Sequence, residues 1–182
     1  MTRYHNIYTN GAAIFWTSSI VDRVPILRSP TAARRLVEII DECRTRYGVK
    51  VAGYTIMPDH FHILVWAEDV ERAKLFITQV LRRSSAALAA MTDAACGLGD
   101  ARARMWSDVF HSKAAGKSAV RVWKERGRAF PVDTREVMLQ KLTYIHDNPV
   151  RAGLVEHAED WLFSSAAWFS RKQGLIAIDD LE

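Results

Sequence analysis

Two histidines stand two residues apart in "MPDHFHILVWA", with only Phe61 between them. In an extended chain alternate side chains share a face, so His60 and His62 point the same way, roughly 6–7 Å apart, and Phe61 points to the other. Two neutral imidazoles so placed can converge on one divalent ion. The alternative is a pair of half-buried histidines with no ligand. Two protein ligands leave positions on an ion open for water and a substrate oxygen, as metal-assisted phosphoryl chemistry requires. A second stretch, "YIHDNP", puts Tyr144 and Asn148 four residues apart, on one helix face with Cβ atoms ~6 Å apart. Met138, Leu142 and Ile145 form the apolar stripe of that helix. At ~100° per residue Tyr144 stands ~120° away from the stripe, where a side chain faces either a cleft or open water. Asn148 taken alone is a helix-end residue before a proline. His146 could act as a base, as a phosphate donor or not at all, and His5, His111 and His157 have no evident partners.

The elements that must position these residues follow from the pattern. Residues 12–21, "AAIFWTSSIV", suit a strand. "SPTAARRLVEIIDECRTRYG" suits a helix, with Ser29 as N-cap, Pro30 at the first helical position and Gly48 as the stop. Residues 49–57 suit a strand, Pro58-Asp59 a turn, and "HFHILVWA" the returning strand, so the histidines open a strand directly after a turn. Asp69 can cap a helix over "VERAKLFITQVLRRSSAALAAM". Residues 97–118 break the pattern and are expected to form an irregular insertion. "AVRVWKERGRAF" is expected as a fourth strand or a hairpin. "DTREVMLQKLTYIHDN" is expected as a helix with a capping box from Asp133 and Glu136, ended by Pro149. An aromatic-rich tail then packs on the domain. The order strand, helix, strand, strand, helix, strand is that of a ferredoxin-like α+β fold, an antiparallel sheet with helices on one face. A C-terminal helix carrying Tyr144 and the tail follow it, so residues 1–182 make one domain.

The chain has 182 residues, 49% hydrophobic and 25% charged, enough apolar content for a core and too much for global disorder. No apolar run approaches the ~20 residues of a membrane span. The polar start "MTRYHNIYTN" lacks the apolar region of a signal peptide, so a cytoplasmic protein with no membrane partner is expected. Cys43 and Cys96 make neither a disulfide framework nor a structural zinc site. The net charge is +4, yet residues 97–128 alone carry eight basic and three acidic residues. This stretch is either a solvated face or a phosphate-contacting patch. Arg121, Lys124, Arg126 and Arg128 are its candidates for DNA contact, because they adjoin the expected strand beside the helix of Tyr144.

"MPDHFH" resembles the M-P-[DN]-H-x-H motif of the HUH single-tyrosine transposases, the insertion-sequence-200-like family. "YIHDNPVRAGLVEHAEDWLFSS" resembles the Y-I-H-x-N-P-V-x-x-G-L-V…W…S-S segment of their REP-associated branch. The resemblance implies that His60 and His62 hold a divalent cation, Mg²⁺ or Mn²⁺. It implies that Tyr144 is the nucleophile on a DNA phosphate and that Asn148 completes the metal site. The implied partner is single-stranded DNA with a neighbouring hairpin, bound by a monomer or a homodimer. Tyrosine phenols are poor nucleophiles at neutral pH, because they deprotonate only near pH 10, so a cation on the phosphate is needed. Two other functions compete. A domesticated relative would hold nucleic-acid hairpins without cutting them. A water-using metal hydrolase would need an acidic base, and Asp59 is the only acidic neighbour of His60 in sequence.

Overall fold

The computed structural model describes residues 13–112, 120–125 and 127–180. Four strands, β1 (Ala13–Ser19), β2 (Lys50–Met57), β3 (His60–Trp66) and β4 (Arg128–Val132), form one antiparallel sheet in the order β2-β3-β1-β4. That order is ferredoxin-like, as expected. Period-two alternation divides the sheet chemically. Ile14, Trp16, Phe61, Ile63 and Val65 share one face with the apolar stripes of α1 (Pro30–Tyr47) and α2 (Val70–Gly97), which together make the main core. Burial of each such side chain contributes about 1.5–3 kcal/mol. Helix α4 (Arg135–Arg151) lies on the opposite face, where Leu142 and Ile145 pack on Phe15, Ala52 and Leu64.

The local signals act as the sequence implied in most places. Pro30 opens α1, and Gly48 closes it in the left-handed region at φ 62°. Asp69 caps α2, its carboxylate accepting from the Arg72 amide at 2.9 Å. The tail covers the outer edge of β2. Trp161 Nε1 donates to the Ile56 carbonyl, Ser164 bridges to Thr55, and Ser165 Oγ accepts from the Tyr54 amide and donates to the Tyr54 carbonyl. An exposed strand edge is thereby closed.

Four expectations are corrected. Residues 97–118 are not irregular where they are described: α3 (Ala101–Ser112) packs on α2 and buries Ala103 and Phe110, seven residues apart. Asp100 caps this helix, accepting from the amides of Arg102 and Ala103. Its stripe is so narrow that periodicity hardly registers it. Residues 113–119 lie outside the described residues. The fourth strand begins at Arg128, later than expected, because residues 122–124 hydrogen-bond beyond the end of β1 first. Helix α4 is capped by Thr134, whose hydroxyl accepts from the Val137 amide at 3.2 Å, and not by Asp133. Nor does Pro149 end α4, which runs on to Arg151. A proline in the last turn removes one backbone donor. That donor would have served the Ile145 carbonyl; the side chains of Asn148 and Arg151 instead turn back to donate to the Tyr144 carbonyl.

Among the described residues no helix is long and apolar enough to cross a membrane.

Candidate active site

Strand register builds the site. His62 lies opposite Thr17, and Thr17 opposite Arg128; His60 lies opposite Ser19, whose carbonyl accepts from the Lys124 amide. Leu64, Phe15 and Phe130 form the neighbouring row. Helix α4 covers that apolar row and leaves the two polar rows open. The resulting cleft, of about 520 Å³, is lined by Arg23, Lys124, Arg128 and Lys141 together with His60, His62 and Tyr144. Among the described residues no carboxylate lines it.

The two imidazoles meet edge to face, with ring centres 4.9 Å apart. His60 Nδ1 lies 2.6 Å from Asp59 Oδ1, and Asp59 is in turn paired with Arg23 at 3.3 Å. Arg23 Nη1 also approaches Nδ1, at 3.3 Å, and the tautomer that donates Nδ1–H to Asp59 is the one that would offer Nε2 to a ligand. His62 shares a 2.7 Å hydrogen bond between Nδ1 and Thr17 Oγ1. Its Nε2 is buried with no hydrogen-bond partner among the described residues. Burial, helped by the charges around it, pushes its pKa down to about 3, so the ring stays neutral. A buried polar atom left unpaired costs about 1–3 kcal/mol, and a cation at Nε2 would remove that cost. The two histidines therefore suit a divalent ion. No group of three or more His, Cys, Asp or Glu side chains converges among the described residues. A cation here would depend on the histidine pair plus amide, water and substrate oxygens.

Tyr144 stands where its flank position implied, 40% exposed at the cleft wall. Its ring lies edge-on to His62 at 5.3 Å and to Phe15 at 6.0 Å. The Arg151 guanidinium covers it at 4.8 Å from the ring centre. Asn148 does not line the cleft, and its amide donates to the Tyr144 carbonyl at 2.6 Å. Of the basic candidates, Lys124 and Arg128 line the cleft; Arg121 does not, and it pairs with Glu125. Arg126 lies outside the described residues.

The family model described as "Transposase IS200 like" matches residues 14–125, more than half of the chain. The chain belongs to the IS200-like transposase family. The matched span of this transposase holds His60 and His62 and ends before Tyr144. A solved REP-associated tyrosine transposase bound to a REP hairpin shares its fold: TM-score 0.61 and 19% identity over 100% of this chain and 94% of that one. A putative transposase from Deinococcus radiodurans R1 is more distant, with TM-score 0.45 and 18% identity over 81% of this chain and 97% of that one. No curated protein matches.

Several residues of the transposase cleft escape a reading of motifs. Thr17 and Ser19 stand opposite His62 and His60 across the β1–β3 pair, but Ser18 between them hides that spacing in an unbroken polar run. Lys141 is marked only by its place three residues before Tyr144. His146, in contrast, faces away from the cleft. Its Nε2 donates to Ser165 Oγ at 2.8 Å and its ring packs on Phe169, so it fastens α4 to the tail. Burial pushes its pKa down to about 4. Gly53 permits this docking, because a Cβ there would come within 2.5 Å of Leu142 Cδ2 and 3.3 Å of Ser165 Oγ.

Proposed function

We propose that the chain is a metal-dependent single-stranded DNA endonuclease and strand transferase, acting at hairpin-bearing DNA through a covalent bond to Tyr144. One observation carries this function: His62, whose Nε2 is orphaned, lies 5.3 Å ring to ring from Tyr144 in a cleft lined by cations and, among the described residues, by no carboxylate. Such a lining favours a polyanion, and Asp59, the acidic neighbour of His60, is engaged by His60 and Arg23. His60 and His62 would hold Mg²⁺ or Mn²⁺. Bound there, the ion would polarise the scissile phosphate and offset the charge that develops on it.

The chain's own residues do the rest. Asp59 and Thr17 hold the imidazoles in place. Asn148 and Arg151 fix the backbone of Tyr144, and the Arg151 guanidinium holds its ring. Asn148 joins the metal site only by releasing the Tyr144 carbonyl. Tyr144 Oη attacks phosphorus, a tyrosine 5′-phosphodiester forms, and the bond from phosphorus to the 3′-oxygen breaks. The phenol proton passes to solvent, and the departing oxygen takes one up. The new bond retains the phosphodiester energy, so rejoining needs no nucleotide. The hairpin partner is supported by the "YIHDNP" segment and by the solved relative, which is bound to a REP hairpin.

The test is incubation with hairpin-bearing single-stranded DNA and manganese. Wild type should give a covalent adduct that survives denaturation. Tyr144→Phe should give none, with hairpin affinity retained. An adduct from Tyr144→Phe removes Tyr144 as sole nucleophile, and binding with no adduct from wild type favours a non-cleaving hairpin binder.

A further inference from the structure

We propose that Lys141 is a second catalytic residue of this site, its ammonium donating to a nonbridging oxygen of the phosphate that Tyr144 attacks. The proposal rests on Tyr144 being the nucleophile. It assigns a role to a side chain that neither the histidine pair nor the basic stretch explains.

Lys141 stands three residues before Tyr144, so both leave the same flank of α4 about one turn apart. Its Nζ lies 5.1 Å from the ring centre of Phe15 and 5.6 Å from that of Phe130. His62 stacks against the same Phe15 ring at 5.6 Å, and Tyr144 meets it edge-on. One buried ring thus spaces the ammonium, the phenol and the imidazole around the cleft. Several other helical cations find acids, whereas Arg46 and Arg151 rest on rings and Arg82 on an amide oxygen. Arg35, Arg44, Arg72, Lys74 and Arg83 each pair with a nearby carboxylate. Among the described residues Lys141 pairs with none. It is seated on aromatic faces in a cleft shared with Arg23, Lys124 and Arg128. Cations so gathered repel one another until an anion enters.

The chemistry of attack gives this ammonium a task. The bond from Tyr144 Oη to phosphorus forms as the bond to the 3′-oxygen breaks, the phenol losing a proton to water and the 3′-oxygen gaining one from water. Meanwhile negative charge gathers on the nonbridging oxygens. The imidazoles approach the phosphate from the sheet and Lys141 approaches from the helix, so each side can serve a different oxygen. A donor already in place where charge develops needs no reorganisation at the moment of reaction. Arg128 and Lys124 share the rows of His62 and His60 but lie two strands across the sheet, on β4 and the segment that leads into it, and suit flanking phosphates instead.

The experiment uses hairpin-bearing oligonucleotides with randomised flanks, from which adducts of wild type and manganese isolate one cleavable sequence. Single-turnover adduct formation on that sequence is then compared for wild type, Lys141→Met, Lys141→Gln and Lys141→Arg. Met keeps the length and the ring packing without the charge; Gln repeats the comparison should Met disturb the rings. Both should slow the reaction at saturating DNA by ~10²–10³-fold, as loss of a preorganised donor does. The half-saturating DNA concentration should change by less than about threefold, because an interaction confined to the transition state leaves binding alone. Arg should recover most of the rate. An unchanged rate, or a rate that falls only with DNA affinity, overturns the role of Lys141 and leaves Tyr144 in place. No adduct from wild type with any sequence overturns both.

Discussion

Strand β3 shows Phe61, Ile63 and Val65 to one face of the sheet and His60, His62 and Leu64 to the other, and the two sets are treated differently. The first set is sealed under α1 and α2 by side chains that are apolar along the whole strand. On the second face α4 covers only the Leu64–Phe15–Phe130 row and stops short of the two polar rows. His62 is only 4% exposed, yet one of its nitrogens has no partner. Burial on the first face is complete and contributes stability. On the second face it is incomplete and, among the described residues, leaves Lys124, Arg128 and Lys141 without a carboxylate and one ring nitrogen without a partner, which contribute binding capacity.

The largest expected effect separates the faces by what each substitution destroys. Phe61 is fully buried and meets Trp123 edge-on at 5.2 Å. Phe61→Ala should cost about 3–5 kcal/mol in urea unfolding through lost burial and the cavity left behind. The fraction that remains folded should still form adducts. His60→Ala, one residue away on the half-open face, should cost less than about 1 kcal/mol, as surface changes do. It should weaken manganese binding by calorimetric titration and abolish the adduct. If Phe61→Ala removed activity from folded protein, or His60→Ala left manganese affinity unchanged, the division of labour between the faces would be wrong.

A smaller effect distinguishes the two histidines buried on the α4 face. Burial holds His62 at about 3 and His146 at about 4, both below the ordinary value near 6.5. As pH falls, the unfolded chain therefore takes up protons first. The stability carried by the neutral rings is complete above pH ~6.5 and declines toward pH ~4, by up to ~1.4 kcal/mol per pH unit for each ring. His146→Gln keeps a donor for Ser165 and removes one of the two titrations. Between pH 7 and pH 5, wild type should lose roughly 2 kcal/mol more stability than this variant. Parallel losses would show that His146 is more open to water than its packing on Phe169 implies.

The fold was legible wherever side-chain period and punctuation agreed: Gly48 and Asp69 stop and start helices, and Pro58-Asp59 turns the hairpin that carries the histidines. It was less legible where one signal had two claimants. Asp133 and Thr134 were both able to cap α4, and the choice depends on backbone angles that composition does not encode. Helix α3 buries only Ala103 and Phe110, too few for a periodicity to stand out among its polar residues. His60, His62 and Tyr144 could be placed because period two and period 3.6 each fix a direction. Asn148 could not, because it turns back to the Tyr144 carbonyl of its own helix, a contact that periodicity does not encode. Thr17, Ser19 and Lys141 enter the site through strand register and helix docking, and both are set by contacts between residues distant in sequence.

The smallest expected effect asks which part of the basic stretch touches DNA. Lys124 and Arg128 line the cleft beside Ser19 and Thr17, whereas Arg102 belongs to α3 and lines a groove against Met91 and Trp106. Each phosphate neutralised on a single strand adds ~0.7 to the slope of log affinity against log salt, through counterion release. Lys124→Gln and Arg128→Gln should each flatten that slope by ~0.7, measured by fluorescence anisotropy on hairpin-bearing single-stranded DNA. Arg121→Gln should matter less, since Glu125 already pairs with it and it lies outside the cleft. Arg102→Gln should leave the slope unchanged. The charge of residues 97–128 would then divide at the sheet, with the residues of β4 and its approach on the DNA path and those of α3 facing solvent. A slope altered by Arg102→Gln but not by Arg128→Gln would move the DNA from the cleft to the groove beside α3.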